Sequence, residues 1–577
     1  MERDDSGYHR ALVQHVGPGA RYTYRLGDKT ERPDPASRSQ PDGVHVASEV
    51  VDPRAFAWTD DAWFGLPLPA SVIYELHVGT FTPEGTFDAI IPRLPDLKEL
   101  GITAIEIMPV AQFPGSRNWG YDGVYPYAAQ NSYGGVAGLQ RLVNACHRVG
   151  IAVVLDVVYN HLGPEGNYLG EFGPYFTDRY KTPWGLAINY DGPDSDHVRH
   201  YFIENALYWL DECHVDALRL DAIHAIMDFA ARPFLAELSD QVQERAEAVN
   251  RRLHLIAESD MNDPRIILPS ELGGLNLDAQ WADDLHHAIH SVLTGERSGY
   301  YEDFGRLEHI AAALKQGYVY TGQYAPHRKR RHGAPPRLNE GHQFVVYSQT
   351  HDQVGNRKDG DRLSALVSFE DLKLAAATML LSPYLPMLFM GEEYAETAPF
   401  QYFTSHGDQD LIESIRKGRA EEFASFGWVG DVPDPQDEAT FLRSKLNWEQ
   451  RETGRHRALL AFYKALTELR RRLSPPSHLS KEHQDVTIRE EAQVITVRRW
   501  WEEQQVLIVL SYASADVELV LSLPDGTWKR ELDSADERWM GPGSISSDVL
   551  QGGSGSRIAL RGKSVAVYRR VDRSEDV

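Results

Sequence analysis

Four apolar stretches of this 577-residue sequence end in polar side chains that could perform acid–base or nucleophilic chemistry. In the stretch VDALRLDAIH (215–224), Arg219 and Asp221 lie two residues apart, so in a strand they would share one face. The arginine would offset the cost of burying the aspartate and would keep it ionised. An ionised and oriented carboxylate is what nucleophilic attack on a sugar requires.

A second carboxyl group follows on the next apolar run, LHLIAESD, which ends in Glu258. Burial at the end of such a run could raise the pKa of this group and make it a proton donor. Two carboxyl groups whose pKa values are pushed apart are the signature of glycoside hydrolysis. Because the two groups would lie on adjacent strands, we expect the short separation of a retaining mechanism, roughly 5–5.5 Å.

Two further runs deliver polar residues in the same way. IAVVLDVVYNH carries Asp156, Asn160 and His161, and FVVYSQTHDQVGN ends in His351 and Asp352. Taken singly, each could be a structural ion pair, a helix cap or a core histidine. Four strand ends that all carry such residues are poorly explained by structure alone and favour one shared active site.

A metal-dependent hydrolase is the alternative interpretation of these residues, because carboxylates and histidines are also metal ligands. The candidate ligands are Asp156, His161, Asp221, Glu258, His351 and Asp352. Such sites usually include closely spaced histidines on one strand, and no HxH sequence ends an early strand here. The sequence therefore predicts a site without metal, and it contains no serine-nucleophile elbow or phosphate loop.

Aromatic residues cluster after the second strand-like run, in NWGYDGVYPY, which contains Trp119, Tyr121 and Tyr125. The segment PYFTDRYKTPWG (174–185) adds more of them. Sugar rings stack on aromatic faces while their hydroxyl groups form hydrogen bonds. These side chains are therefore candidates for substrate contact, although they could equally pack against one another.

The elements that would carry these residues alternate between strand and helix. Strand-like runs occupy residues 72–78, 102–110, 151–161, 215–224, 253–259, 275–284, 344–352 and 386–393. Helix-like stretches occupy residues 87–101, 136–150, 195–214, 234–250, 301–316, 369–380 and 456–472. Alternation of this kind predicts an α/β fold with parallel strands, and eight strands fit a (β/α)₈ TIM barrel. An open doubly wound sheet is less favoured, because no GxGxxG follows the first strands.

The sequence predicts three domains. Residues 1–62 have short β-like runs typical of a small N-terminal β-sandwich-like domain. Because that segment is short for a closed sandwich, one interpretation is that the domain is truncated. Residues 63–475 would form the barrel with long βα-loop insertions, and residues 476–577 an antiparallel C-terminal β-sandwich domain.

Composition limits the class of protein and its partners. Apolar residues make up 42% of the chain and charged residues 25%, which is typical of globular proteins. A net charge of −25 argues against nucleic acid or an anionic membrane as partner. With only Cys146 and Cys213, no basic-then-apolar leader and no long apolar run, we expect a cytoplasmic protein. We further expect a monomer or a weak homodimer.

The motifs that end the strands resemble a known family. DVVYNH (156–161), LRLDAIH (218–224), AESD (257–260) and QTHDQVGN (349–356) are similar to the four signature regions of the α-amylase superfamily of retaining glycosidases. The resemblance implies that Asp221 is the nucleophile, Glu258 the general acid/base and Asp352 the third carboxylate, which stabilises the transition state. The substrate-binding residues that we predict on this basis are Arg219, His161, His351, Tyr121, Trp119 and His224.

Other segments narrow the resemblance to the maltooligosyltrehalose trehalohydrolases, notably WGYDGVYPYAAQNSYGG, LDAQWADDLHHAIH, GQYAPHRKRRHG and LFMGEEYAETAPFQYFTSH. Such enzymes hydrolyse the α-1,4 bond next to the terminal trehalose unit of a maltooligosyl chain, and they need no cofactor. Asn160 matches a position that helps bind structural calcium in many amylases, but the other ligands are not apparent here. We therefore expect no required metal.

Selectivity for a 1,1-linked disaccharide requires suitably shaped leaving-group subsites. WADDLHH (281–287) and the basic insert HRKRRHG (327–333) are candidates for that wall. Asp284 and His286 are the predicted substrate-binding residues of the first segment, although they could instead bond one another and position loops. The alternative functions are a glycogen branching enzyme and a catalytically inactive barrel that only binds carbohydrate.

Overall fold

Eight parallel strands close into a barrel at the centre of the molecule. The computed structural model describes residues 1–571 apart from residue 6, residues 28–29, residues 426–431 and residues 474–478. The strands follow one another around the barrel in chain order, so the predicted (β/α)₈ fold is confirmed. They are β1 (Ile73–Leu76), β2 (Ala104–Ile107), β3 (Ala152–Val157), β4 (Ala217–Leu220), β5 (His254–Ala257), β6 (Ala279–Trp281), β7 (Phe344–Tyr347) and β8 (Leu385–Phe389).

The strands are apolar on both faces because the barrel is covered by helices outside and filled by side chains inside. Alternate residues such as Ile73, Ala152 and Leu385 form a buried cluster separate from the one that packs against the helices. Towards the strand C-termini the inward positions become charged. Glu75 pairs in register with Glu106 across β1 and β2, and Asp156 pairs with Arg219 across β3 and β4. The charged layer lies at the end of the barrel where the βα loops begin.

In the described part of the chain, nine longer helices pack around the barrel or lie in its insertions. They are α1 (Leu94–Leu100), α2 (Gly135–Arg148), α3 (Ser195–Asp211), α4 (Phe234–Val249), α5 (Asp283–Thr294), α6 (Leu307–Gln316), α7 (Phe369–Leu380), α8 (Gln409–Ser425) and α9 (Gly454–Leu473). Shorter helices span Val78–Phe81, Phe87–Ile90, Leu169–Phe172, His351–Gly355, Leu363–Leu366 and Glu438–Arg443.

Helices α5 and α8 were not predicted. The run 275–284 was interpreted as one strand, but β6 ends at Trp281 and α5 begins at Asp283. Asp283 and Asp284 lie in the first turn of this helix, where acidic side chains interact favourably with the helix dipole. The start of a helix at Asp283 matters for the site, because adjacent residues of a helix point in different directions.

The N-terminal segment forms three short antiparallel pairs: Glu2–Arg3 with His9–Arg10, Arg21–Tyr22 with Ser48–Glu49, and Tyr24–Leu26 with Thr30–Arg32. These pairs do not join into one sheet. The segment packs directly on the barrel layer, where Tyr125 and Tyr201 donate hydrogen bonds of 2.7 Å to the carbonyls of Val44 and Pro35. A separate domain over residues 1–62 stays a prediction.

The C-terminal region is all-β and antiparallel, as predicted. Its six strands form one sheet in the order β9-β10-β11-β14-β12-β13, with ranges Gln484–Arg489, Val494–Trp501, Gln504–Ser511, Val517–Asp533, Val549–Leu560 and Ser564–Val571 for β9 to β14. Lys373 of α7 donates to the Ser534 carbonyl at 2.7 Å, and Thr378 bonds Tyr512 at 2.8 Å. The predicted boundary at 475/476 lies outside the described residues.

A buried cluster of acids and histidines fastens the linker at residues 52–66 to the end of the barrel opposite the charged layer. His147, in the last turn of α2, lies between two buried carboxylates, with Nδ1 2.7 Å from Asp60 and Nε2 2.9 Å from Asp216. Trp63 donates to Asp216 at 2.7 Å and stacks on the imidazole. Burial lowers the pKa of His147, but the two carboxylates outweigh it and raise the pKa above its ordinary value.

Replacing His147 with alanine is expected to lower the free energy of unfolding by about 3 kcal/mol, the scale for breaking a buried ion pair. A raised histidine pKa contributes stability that is fully present below the unfolded-state value near 6.5 and is lost as pH rises through the folded value. The loss should therefore be larger at pH 6 than at pH 9 when measured by urea denaturation. Arg148→Ala, which replaces the exposed neighbouring residue, serves as control. An equal loss of unfolding free energy in the two variants would contradict the stabilising role of His147 between Asp60 and Asp216.

Candidate active site

The four predicted strand ends meet at one rim of the barrel. Asp156 ends β3, Asp221 follows β4, Glu258 follows β5, and Asp352 lies in the short helix after β7. In TIM barrels this C-terminal rim is where active sites form, because the βα loops supply variable side chains around it. The side chains are linked by direct contacts, and Arg219 is at their centre.

Arg219 is fully buried and contacts three carboxylates. Its Nη1 donates to Asp221 Oδ1 at 2.8 Å and to Asp156 at 2.8 and 2.9 Å, and its Nη2 lies 3.7 Å from Glu258 Oε2. The guanidinium also stacks over Trp281, 4.3 Å from the ring centroid. Burial of a cation costs several kcal/mol, and these neighbouring anions offset that cost. Arg219 therefore holds the carboxylates of β3 and β4 in fixed positions.

Asp221 is held from two sides. In addition to Arg219 on Oδ1, Asn160 donates its amide to Asp221 Oδ2 at 2.6 Å and to the Asp221 carbonyl at 2.8 Å. These hydrogen bonds fix the orientation of the carboxylate, which suits a nucleophile. Asn160 thus bonds the candidate nucleophile.

Glu258 has the opposite environment. Burial, with a smaller contribution from Asp221, outweighs the opposing effect of Arg219 and raises the pKa of Glu258 to about 8. Its Oε2 accepts a 2.6 Å hydrogen bond from the Ala222 backbone N–H. Since Oε2 is occupied, the proton of the neutral acid resides on Oε1, the oxygen free to meet a leaving group. Ala222 has φ 39°, and this left-handed conformation, costly for a residue with a Cβ, accompanies the contact.

His351 joins the third carboxylate to the rest of the site. Its Nε2 lies 3.5 Å from Asp352 Oδ1 and 2.8 Å from the Tyr121 hydroxyl, which donates to Asp156 Oδ2 at 2.7 Å. On its other side, Nδ1 contacts Glu75 Oε1, and the His351 backbone N–H donates to Glu75 Oε2 at 3.1 Å. Tyr121 stacks partly on the same imidazole, with 5.3 Å between ring centroids.

His161 lies on the β3 side of the site. Its Nδ1 donates to the Asn160 side-chain oxygen, and its Nε2 lies 3.0 Å from the Tyr121 carbonyl. Both ring nitrogens face neutral oxygens, and burial lowers the pKa of His161. Trp184, from the hairpin Phe176–Thr182 and Gly185–Ile188, stacks on this ring with 4.2 Å between centroids and remains half exposed.

Three predicted substrate-binding residues are buried and bonded to the protein. Trp119 packs against Phe400 and His351 and is only 4% exposed, which leaves no indole face open to a sugar. The Asp284 carboxylate accepts hydrogen bonds from the Val319 and Tyr320 backbone N–H groups at 2.6 and 3.0 Å. These contacts assign structural positions to Trp119 and Asp284.

His286 is likewise enclosed, with Nδ1 2.6 Å from the Ser348 carbonyl and Nε2 3.0 Å from the Tyr301 hydroxyl. His224 is exposed in the 3₁₀ turn Ile223–Ala225 that follows the β4 strand end. It stays a candidate for contact at the rim. The contacts of Asp284 and His286 favour the alternative interpretation, in which both residues position loops.

Asp283 is half-buried and interacts with Glu258, whereas Asp284 is buried. Asp283 accepts a hydrogen bond from the Tyr347 hydroxyl, and burial, with contributions from Asp260 and Asp284, raises the pKa of Asp283 to about 7. The small cleft there is lined by residues of both predicted wall segments, Asp283, Asp284, His287, His327, Arg328 and His332, together with Asp260 and Tyr300. Arg328 crosses the cleft and donates to Asp260 at 2.8 Å. The segments 281–287 and 327–333 thus meet beside the proton donor.

The sequence argument missed Glu75 and the contact of Trp281, whereas Trp184 lies in the aromatic segment 174–185 that it named. Glu75 had a signal, since a carboxylate inside the apolar run VIYELHV requires a buried partner. Trp281 was read as part of WADDLHH, and its contact with Arg219 depends on β4 and β6 lying on either side of β5. In the described part of the chain, no group of three or more His, Cys, Asp or Glu side chains is arranged to hold a metal ion. No described helix is both long and apolar enough to cross a membrane.

The barrel, its charged rim and the three carboxylates around a buried arginine define an α-amylase-type glycoside hydrolase. A family model described as the α-amylase catalytic domain matches residues 37–182. The malto-oligosyltrehalose trehalohydrolase of Saccharolobus solfataricus is 52% identical over 82% of this chain and 81% of its own length. The chain therefore belongs to the malto-oligosyltrehalose trehalohydrolase family.

Two other similarities place the chain within the wider fold family. A crystal structure of a putative α-amylase from Salmonella typhimurium superposes with a TM-score of 0.87 and 40% identity, covering 97% of this chain and 92% of that one. A 1,4-alpha-glucan branching enzyme from Corynebacterium jeikeium is 24% identical over 96% of this chain and 74% of its own length. The sequence identity to the trehalohydrolase, 52%, is thus about twice the 24% identity to the branching enzyme.

Proposed function

We propose that this protein hydrolyses the α-1,4 bond next to the terminal trehalose unit of maltooligosyltrehalose and releases trehalose. The observation that supports the proposal is that two carboxyl groups on adjacent strands lie in contrasting environments. Asp221 accepts hydrogen bonds from Arg219 and Asn160, whereas burial keeps the proton on Glu258. Family membership supplies the substrate class.

In this mechanism Asp221 attacks the anomeric carbon, and Glu258 donates its proton to the departing oxygen of the trehalose unit. The covalent glycosyl–enzyme intermediate is then hydrolysed by water, from which Glu258, now a carboxylate, removes a proton. Asp352 bonds sugar hydroxyls and stabilises the charge of the transition state. The product is a maltooligosaccharide with retained anomeric configuration. Arg219, Tyr121, His161 and His351 would line the subsite of the reacting glucose.

The leaving trehalose would lie on the side of Glu258 that is bounded by Asp260, Asp283 and Arg328. This follows from the position of Glu258, because a proton donor must lie between the bond that breaks and the group that leaves. The carboxylates and the guanidinium of the cleft are groups that bond sugar hydroxyls. Asp283 replaces Asp284 as the acid of this segment that we assign to substrate contact.

Glycogen branching is the competing function, since it would use the same three carboxylates and pass the glycosyl group to a sugar hydroxyl. Incubation with maltooligosyltrehalose, followed by chromatography of the products, separates the two. We expect stoichiometric free trehalose and a shortened maltooligosaccharide. Absence of trehalose, together with formation of an iodine-staining branched glucan from amylose, would establish the branching activity instead.

The pH dependence of kcat/KM is expected to be bell-shaped, with its alkaline limb near pH 8. The general acid must be protonated in the free enzyme, and burial raises the pKa of Glu258 to about 8, so the rate falls above that value. The mechanism also requires an ionised nucleophile, which gives the profile its acidic limb. Initial rates from pH 4 to pH 10 test this. A profile that is flat from pH 4 to pH 9 would rule out the two-carboxylate scheme.

A cytoplasmic location and a monomeric or weakly dimeric state are also part of the proposal. Both rest on composition, with two cysteines in 577 residues and a net charge of −25. Sedimentation velocity of the purified protein tests the oligomeric state.

A further inference from the structure

Glu75 is an acid within strand β1. Its hydrogen-bond partner, His351, is 276 residues away along the chain. Both carboxylate oxygens are used on His351: Oε1 on the ring Nδ1 and Oε2 on the backbone N–H. Glu75 and His351 are each about 1% exposed. A two-point contact of this kind fixes both the position and the ring orientation of the histidine.

Hydrogen-bond accounting then determines how many protons the imidazole carries. Nδ1 faces the Glu75 carboxylate, an acceptor, so Nδ1 is protonated. Nε2 faces the Tyr121 hydroxyl at 2.8 Å, but that hydroxyl has one proton and gives it to Asp156 Oδ2 at 2.7 Å. Asp156 also accepts from Arg219 through both oxygens, which marks it as an ionised acceptor. Nε2 must therefore donate as well, and the ring is an imidazolium.

The groups that face His351 come from every element around it. They are Glu75 on β1, His77 after β1, Glu106 on β2, Trp119 and Tyr121 in the loop after β2, Asp156 on β3, Arg219 on β4, Trp281 on β6 and Asp352 on the histidine's own short helix. Burial lowers the pKa of His351, but Asp352 and Glu75 outweigh this and raise it to about 9.

Glu106 shows which of the two neighbouring strand acids carries the charge. It is the register partner of Glu75 and is 1% exposed, but neither of its carboxyl oxygens has a hydrogen-bond partner among the described residues. Burial raises the pKa of Glu106 well above its ordinary value, and the nearby Glu75 adds to the shift. Glu106 therefore favours its neutral form, and of the two strand acids Glu75 is the one that contributes negative charge beside His351.

We propose that Glu75 is a positioning residue for the reaction, which holds His351 as an imidazolium and thereby orients Tyr121 and Asp352 around the reacting sugar. The proposal rests on the proposed function in so far as those two residues belong to the glycosidase site. From the imidazolium, hydrogen bonds run outward in one direction: Nε2–H to Tyr121, and Tyr121 to Asp156. A neutral histidine would break this chain at its first bond.

Two isosteric variants test the proposal, Glu75→Gln and its register partner Glu106→Gln. In the wild type Glu258 sets the alkaline limb; without the Glu75 charge the pKa of His351 should fall below that of Glu258, so that loss of the imidazolium sets the limb of kcat/KM instead, about one unit lower in pH. Activity should be retained best at acid pH, where the ring is still protonated. Glu106→Gln exchanges one neutral group for another and should leave both the limb and the rate near wild type. An unchanged limb in Glu75→Gln, or an equal shift in both variants, would overturn the proposal.

A second readout needs no catalysis, and it uses a variant only to assign one resonance. Histidine labelled with ¹³C at Cε1 gives one resonance per ring, and the His351 resonance is assigned by its absence in His351→Gln. In the wild-type protein we expect it to have the imidazolium shift at pH 7 and to titrate well above pH 7. A neutral ring at pH 7 would overturn the proposal whatever the enzyme's substrate is. An imidazolium in a protein that releases no trehalose would instead refute the proposed function alone.

Discussion

Replacing Asp221 with asparagine is expected to lower kcat for maltooligosyltrehalose by about 10⁴-fold or more, the scale of loss when a catalytic nucleophile is removed. The asparagine keeps the volume and accepts one hydrogen bond from Arg219, but its amide oxygen cannot form the covalent intermediate. Substrate binding should persist, because Arg219, Tyr121 and His351 are unchanged. Calorimetric titration with a maltooligosaccharide and a trehalose-release assay measure the two effects separately.

Asp196→Asn is the matched control for this variant, since Asp196 is exposed in the first turn of α3. It should show wild-type turnover. The covalent chemistry can also be tested directly with Asp221→Ala and sodium azide, which should yield a glycosyl azide of inverted configuration. Full trehalose release by Asp221→Asn, or no azide product of that configuration, would refute Asp221 as the nucleophile.

Replacing Glu258 with glutamine is expected to lower kcat by about 10²–10⁴-fold, the usual contribution of a general acid. The loss should depend on the leaving group, because fluoride departs without a proton whereas a sugar hydroxyl does not. With an α-maltosyl fluoride, the first step should remain fast and the second should slow, since no base activates water. The covalent intermediate should then accumulate, and mass spectrometry should find it on the peptide that contains Asp221.

Azide also distinguishes a general acid/base from a nucleophile, because azide attacks without the help of a general base. In Glu258→Gln it should restore turnover of the fluoride and give a product of retained configuration, opposite to that from Asp221→Ala. The alkaline limb near pH 8 should also disappear, because the group that titrates there is gone. Equal loss with fluoride and natural substrate would contradict the role of Glu258 as the acid, and persistence of the limb would assign it to another group.

The barrel could be predicted because each strand is a short run that is apolar on both faces and ends in polar residues. That pattern is local, so all eight strands were located within a few residues of their observed ends. The helix α5 could not be predicted in the same way. LNLDAQWADD is apolar enough to continue as a strand, and only the pairing of β6 with β5 and β7 ends it at Trp281.

The candidate carboxylates were predictable for a related reason. A strand in a closed barrel delivers the residue at its C-terminal end to the rim, whatever the loops do. Roles that depend on the loops were not predictable. Asp283 and Asp284 are adjacent in sequence, but the insertion that contains Val319 and Tyr320 occupies Asp284 and leaves Asp283 towards the cleft.

By itself the sequence determined the fold class, the α-amylase-type motifs and the three carboxylates, since these follow from strand-length runs and the residues at their ends. Only the tertiary structure decided the partners of the buried charges. Closure of the barrel brings β1 beside β8 and places Glu75 against His351, and it stacks Arg219 on Trp281. At the opposite end of the barrel, Asp60 of the linker contacts His147. These contacts join residues far apart in the chain, and no local pattern specifies which buried charge will find which partner, because burial requires a partner without naming it.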